Sequence, residues 1–480
     1  MTPHQAARRF ALVSGLTWLP TGLQMATMLL LMNVRGLGLA DVGIVFAVYS
    51  ITVTVLELPT GGLADVIGRR SVLAASALIG TVSIAGTAFA TTLWQFVALT
   101  ALRAVSRALS SGPAEAWYVD TVHATEGAAS LDASRPGLGA FADRAADLRG
   151  GLAKGSAAGT AALAVGVLVG GAVPLAASAT NATSATADTA ATTGSALAAV
   201  LTAVIPMAVP TLLAAVASAV LLVVCLVAMP EPPRPGPRPT VKQVLTGVPR
   251  TVIDSAKLGL RDRLLTKVLL TSLALGVALN SVELFTPGRL AAITGHPATA
   301  GMAYAIVTAI GFAASTAGAS VSPWLARRLG GHAAQRTAAV GTVISAAALG
   351  GLAATGGVGG VAGIVAAATA YSGMFFGLGV TNPMRSELVH QRVSATERAT
   401  VLSVASLLLQ FGGTIGAAVL GPLAQVWSVP PAWWIAAAVL AVSALLYRSR
   451  HPVGAGVEVH PPGAQETDQR HAELAGQVDG

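Results

Sequence analysis

The stretch Glu57-Leu58-Pro59-Thr60-Gly61-Gly62-Leu63-Ala64-Asp65-Val66-Ile67-Gly68-Arg69-Arg70 separates two apolar segments, each long enough to cross a bilayer. A charged, glycine-rich hairpin in that position must be tight and must sit in water. Its closing pair of arginines places it on the cytoplasmic side, where loops of membrane proteins concentrate Lys and Arg.

The chain around it supports that setting. Of its 480 residues 54% are apolar and only 10% charged, and the mean hydropathy is +0.69. Soluble domains carry about 25% charged residues, so this chain lacks the polar surface that water requires. Many apolar runs approach the roughly 20 residues that span about 30 Å of hydrocarbon as a helix. The alternating ten-residue strands of an outer-membrane barrel are absent. The expected fold is all-α, with membrane-spanning segments near 10–33, 41–62, 71–91, 94–119, 154–177, 202–229, 265–286, 299–323, 336–355, 359–384, 400–424 and 430–448.

The formal charge of +8 would suggest nucleic acid in a soluble protein. With both ends of a twelve-helix chain inside, however, 25 of the 29 Lys and Arg fall in cytoplasmic stretches, the exceptions being Arg35, Arg103, Arg107 and Arg289. The charge therefore sets orientation, and its partner is the lipid surface, not nucleic acid. The single cysteine, Cys225, permits no internal disulfide. Arg8 and Arg9 precede a first segment of full spanning length without a small-residue cleavage site, which reads as a retained helix and not a signal peptide.

Composition divides the chain into four parts. Residues 1–229 hold six segments. Residues 230–264 open with Pro230-Glu231-Pro232-Pro233-Arg234-Pro235-Gly236-Pro237, which cannot be helical, and continue as a basic amphipathic stretch suited to the membrane surface. Residues 265–448 hold six more segments, and 449–480 form a polar tail expected to be disordered. The polar stretch 120–152 reads as a cytoplasmic connection, and the Ala/Thr/Ser-rich stretch 178–199 as an external loop.

The run Gly62-Leu63-Ala64-Asp65-Val66-Ile67-Gly68-Arg69-Arg70 resembles the signature loop between the second and third helices of major facilitator superfamily transporters. A weaker copy, Leu325-Ala326-Arg327-Arg328-Leu329-Gly330-Gly331-His332, follows the second segment of the second half. The resemblance implies two pseudo-symmetric six-helix halves and a monomer in the plasma (inner) membrane with both termini cytoplasmic. It also implies a cytoplasmic latch made by Gly62, Asp65, Gly68, Arg69 and Arg70, with Arg398 as partner across the seam. Glu57-Leu58-Pro59-Thr60-Gly61, taken with Ser111-Gly112-Pro113-Ala114-Glu115-Ala116-Trp117, looks like a bacterial branch labelled drug-efflux related. A half-match to an exporter motif, Gly166-Val167-Leu168-Val169-Gly170-Gly171, lies in the fifth segment, although small residues that pack helices explain it equally.

Ionisable groups inside spanning segments are the remaining candidates, because a charge at mid-bilayer costs about 2.5–3.5 kcal/mol on insertion scales. In the fourth segment Arg103, Arg107, Ser111 and Glu115 recur every four residues, giving one polar stripe that should face a central cavity. Arg103 sits where many proton-coupled members of the superfamily carry an arginine, or it braces a carboxylate between helices. Asp120 suits an interfacial pair with a cytoplasmic arginine. Glu57 either pairs structurally near the inner interface or carries a proton. In the seventh segment Asn280 and Glu283 lie one turn apart; Glu283 either couples to protons or pairs with Arg289. No Walker lysine, zinc-protease motif or nucleophile elbow occurs, the eight histidines are scattered, and Gly356-Gly357-Val358-Gly359-Gly360 follows no strand. No enzyme activity, metal or cofactor is expected. The expected activity is proton-coupled transport of a small molecule by alternating access, in the export direction. The alternative is proton symport that imports a nutrient or small organic anion.

Overall fold

A computed structural model describes residues 2–130, 138–184, 206–231, 262–393 and 398–448. They fold into helices joined by short turns: α1 (Pro3–Met25), α2 (Met28–Val34), α3 (Leu39–Ile67), α4 (Arg69–Phe89), α5 (Leu93–Ser110), α6 (Pro113–Ser130), α7 (Leu138–Ser184), α8 (Val209–Ala228), α9 (Arg263–Thr294), α10 (Pro297–Leu329), α11 (Ala333–Ala354), α12 (Gly360–His390), α13 (Arg398–Val426) and α14 (Val429–Ser443). Among the described residues ten of these elements are long and apolar enough to cross a membrane. The other two spans are each broken in two. The first is α1 plus α2, interrupted at Ala26–Thr27. The fourth is α5 plus α6, interrupted at Ser111–Gly112, where Gly112 takes φ +92° and Pro113 starts the next helix. Twelve spanning segments result, as the hydropathy pattern predicts.

The two halves repeat the same packing. In the first, α1 lies on α7 and α8, α4 on α5 and α8, and α3 on α5. In the second, α9 lies on α13 and α14, α11 on α12 and α14, and α10 on α12. The correspondence extends to glycines. A Cβ on Gly170 of α7 would stand 2.2 Å from the Leu23 carbonyl oxygen of α1. In the matching pair, a Cβ on Gly276 of α9 would stand 2.0 Å from the Leu409 carbonyl oxygen of α13. Both helix pairs touch backbone to backbone, which only glycine permits. Packing therefore accounts for Gly166 and Gly170, as Gly166 likewise abuts Gly22.

The halves meet through α3 on α13 and α7 on α10. The end of the bundle that holds the first and last described residues is termed here the near end. At the far end, one apolar core runs through both halves, joining Leu30, Leu31, Leu37 and Val42 to Leu284, Phe285, Ala300, Tyr304 and Trp433. At the near end each half has a core of its own. One gathers Phe10, Leu73, Trp117, Tyr118 and Leu221; the other gathers Leu265, Leu269, Met384, Leu388 and Val401.

Three boundaries differ from the sequence reading. The hairpin at 57–70 is not a loop of that length: α3 continues through Pro59, Gly61 and Gly62 to Ile67, and the turn is the single residue Gly68 at φ +112°. At 1.5 Å per residue its 29 residues reach about 43 Å, longer than the hydrocarbon. The connection 120–152 is helical on both sides of the undescribed 131–137, and α7 extends to Ser184 with Asn181-Ala182-Thr183 in its last turn. The rest of the external loop, the linker after Glu231 as far as Arg261, and the tail from 449 lie outside the described residues.

Candidate functional site

Arg103 and Arg107 stand on α5 and face a partly open cavity of about 50 Å³ lined by α1, α3, α4, α5 and α8. Each water needs roughly 10–15 Å³ by this measure, so a few would fit. Thr17, Trp18 and Thr21 line it from α1, Tyr49 from α3, Ser76 from α4 and Ser218 from α8. One guanidinium nitrogen of Arg103 lies 3.5 Å from Thr21 Oγ1, a marginal hydrogen bond. Arg107 lies over the Trp18 ring at 4.9 Å, a cation–π contact. Among the described residues neither arginine forms an ion pair.

The serine hydroxyls around them are spent on helix packing. Ser76 donates to the Ser106 carbonyl (2.7 Å) and Ser106 returns the bond to the Ser76 carbonyl (2.8 Å), clasping α4 to α5. Ser218 donates to Ala77 O and Ser110 to Arg107 O. The predicted four-residue stripe is cut by the Ser111–Gly112 break. Ser111 closes α5, and Glu115, in the first turn of α6, is exposed and does not line this cavity.

In the second half Asn280 is buried on α9, and its Oδ1 has no hydrogen-bond partner. Glu283, one turn on, is exposed. It lies near Tyr304 of α10 and Tyr371 of α12. Those two phenols are buried edge to face, 6.3 Å apart, and the Tyr371 hydroxyl is 3.5 Å from Thr308 Oγ1. Arg289 does not neutralise Glu283. Its guanidinium donates at 2.6 Å to the Thr355 and Val358 carbonyls in the turn before α12.

Glu57 occupies the seam between halves: Ser406 of α13 donates to its Oε1 at 3.4 Å, and its Oε2 is buried without a partner. Nearer the end of α3, Arg69 pairs with Asp120 at 2.6 Å, the interfacial pair expected for Asp120. Arg70 donates to the Leu226 carbonyl of α8. Arg9 donates to Ala228 O and the Trp117 indole to Pro230 O, each at 2.8 Å, so carbonyls at the open end of α8 are satisfied from three helices. The Glu231 carboxylate then accepts from the amides of Arg69 (2.8 Å) and Arg70 (3.0 Å), capping α4 where its dipole favours an anion. Gly62 and the Asp65 and Arg398 side chains lie outside the described side chains.

Sequence reasoning missed Glu231, Tyr49, Trp18, Tyr304 and Tyr371. A polar-tipped ring in mid-segment, away from the headgroup layer, was the available signal for the last four. No group of metal-ligating side chains occurs among the described residues.

No family model matches the sequence, and no curated protein matches it. Solved structures do share its fold. The nucleoside transporter NupG matches at a TM-score of 0.65 with 16% identity, over 92% of this chain and 98% of that one. A bacterial homologue of the human lysosomal transporter Spinster, in an inward-facing and unoccupied conformation, matches at 0.69 with 14% identity, over 93% and 96%. Its occupied form matches at 0.65 with 13% identity, over 93% and 97%. The chain therefore has the twelve-helix, two-half fold of these membrane transporters.

Proposed function

We propose that this chain, which has the fold of solved transporters, is a proton-coupled secondary transporter of the major facilitator type that exports a small molecule by alternating access. One observation carries the reading: the halves share a core at the far end but close separate cores at the near end. Two bodies joined at one end can rock about a site between them without unfolding. With the near end in the cytoplasm, as the basic residues argue, the cell exterior is sealed and the carrier loads from inside. The proposed setting is the plasma membrane, with the protein working as a monomer.

Glu283 is the preferred proton site. It has no ion-pair partner among the described residues, so protonation removes a charge that nothing else neutralises before the halves move. Glu57, at the seam, would sense which side is closed. Asn280, Ser111 and Glu115 complete the candidate path. A second reading, symport that imports an organic anion, draws support from the absence of an ion-pair partner for Arg103 and Arg107.

Purified protein in liposomes under a pH gradient, with a pH-sensitive dye inside, tests the mechanism against a panel of cationic drugs, sugars and organic anions. Proton flux opposite to the compound establishes antiport, and flux with it establishes symport. Glu283→Gln is expected to lower gradient-driven flux by about tenfold or more, and Glu115→Gln with Glu283→Gln to abolish it. Full transport by that double variant would sink the proposed coupling.

A further inference from the structure

We infer that the cavity between α1, α3, α4, α5 and α8 is a binding site for the oxyanion head, carboxylate or phosphate, of an organic substrate. The inference deepens the transporter reading and rests on it. It is independent of transport direction.

The protein supplies its own control for what a structural arginine looks like. Arg9, Arg70, Arg289 and Arg336 each grip main-chain carbonyls, and Arg69 and Arg392 each grip an aspartate at 2.6 Å. Arg103 and Arg107 do neither; Arg35 and Arg328 also show neither bond among the described residues, but only Arg103 and Arg107 of these four line the cavity. They have a hydroxyl at 3.5 Å and an indole face, and the charge nearest in sequence to Arg103 on its helix is that of Arg107 itself. Two cations one helical turn apart, with no acid to separate them, repel each other. Inside a membrane protein that cost calls for an anion from outside.

The remaining chemistry is also donor-only. Serine hydroxyls of the lining already donate to helix carbonyls. The donors left include the two guanidinium forks, the Trp18 indole, the Thr21 hydroxyl and the Tyr49 hydroxyl, a half-buried group for which no hydrogen bond is formed among the described residues. Guanidinium forks match the planar or tetrahedral oxygens of carboxylate and phosphate. The cavity is partly open, so a head bound there leaves the body of the substrate room to extend out of it.

Trp18, under Arg107, is a built-in reporter, because an oxyanion that draws Arg107 away changes the surroundings of the indole. Full-length protein in detergent would be titrated with four compounds sharing a phenethyl body: the carboxylate 3-phenylpropionate, phenethyl phosphate, phenethylamine and phenethyl alcohol. The expected result is a saturable fluorescence change with one or both oxyanions and none with the amine or alcohol, a change that vanishes in Trp18→Phe. Arg107→Gln and Arg103→Gln should each weaken binding by about tenfold or more, whereas Arg107→Lys should retain part of it. Calorimetric titration of the same variants checks that binding itself, and not only the reporter, is lost, and melting curves check that they fold. No response to either oxyanion at millimolar concentration, a preference for the amine, or oxyanion binding untouched in folded Arg103→Gln and Arg107→Gln proteins would overturn the site. Oxyanion binding without flux in liposomes would leave the site standing and remove the transport reading.

Discussion

The two ends of this bundle solve the same problem differently. At the far end the halves are fused: Gly43 of α3 lies against Ala417 and Gly421 of α13, Gly171 of α7 lies against Gly301 and Ala305 of α10, and Gln425 accepts a hydrogen bond from the Ala40 amide at 2.7 Å. At the near end, apart from the Ser406–Glu57 contact across the seam, the polar links found among the described residues run within a half. Arg9, Arg69, Arg70, Trp117 and Glu231 tie the first half to itself, and Asp262 with Arg392 ties the second. Small residues let backbones touch, which suits a seam that, in the proposed alternating access, parts again without leaving buried charges unpaired. Charge-assisted bonds suit the ends of rigid bodies, which move but need not open.

Glycine substitutions should separate the two kinds of contact most sharply. Gly276→Leu drives a side chain into the Leu409 carbonyl within one half, and should destabilise by about 3 kcal/mol or more, with a fall in melting temperature and expression. Gly43→Leu meets the Ala417 carbonyl across the seam, where a Cβ would stand 2.6 Å away. The halves can yield by rocking, so an overlap of about 1–3 kcal/mol should shift the conformational equilibrium by about 5–150-fold while melting changes little. Leu37→Cys, buried in the shared core and placed in a Cys225→Ser background, should then react with an impermeant thiol reagent. Unchanged labelling would mean that the far end is not a gate.

Smaller effects test the near end. Asp120→Asn breaks a partly buried pair inside one half and should cost about 1 kcal/mol. Because the pair does not cross the seam, Leu37→Cys labelling should stay constant; a change would tie this pair to gating. The smallest effect concerns Asp262, which caps α9. Burial would raise its pKa, but the hydrogen bond from Arg392, the amides of Leu265 and Leu264 and the Arg392 charge outweigh it and hold the carboxyl below its usual value. A depressed carboxylate contributes stability above the unfolded value of about 3.9, and loses it as pH falls through the folded value. Asp262→Asn should therefore melt earlier than the parent at neutral pH, by less than about 1 kcal/mol for so exposed a pair. The gap should close below about pH 4. A gap that persists in acid would assign the effect to packing.

Sequence alone determined the class and the number of spans, and it gave the basic residues as the ground for the proposed orientation. Each follows from the energy of placing one segment, or one charge, in hydrocarbon, which depends on local composition. It also marked Arg103, Arg107, Glu57 and Glu283, because an ionisable group in an apolar run stands out without knowledge of its neighbours. Partnership was not legible. Arg289 was an equal candidate to neutralise Glu283 until the turn before α12 brought two carbonyls to it, and Glu115 shared a helical face with Arg103 until Gly112 and Pro113 broke the helix. Glu231 reads as one charge in a proline-rich linker, yet it caps a helix about 160 residues earlier. Such contacts join residues far apart in the chain, so only the packed helices could decide which charges are satisfied and that Arg103 and Arg107 are not.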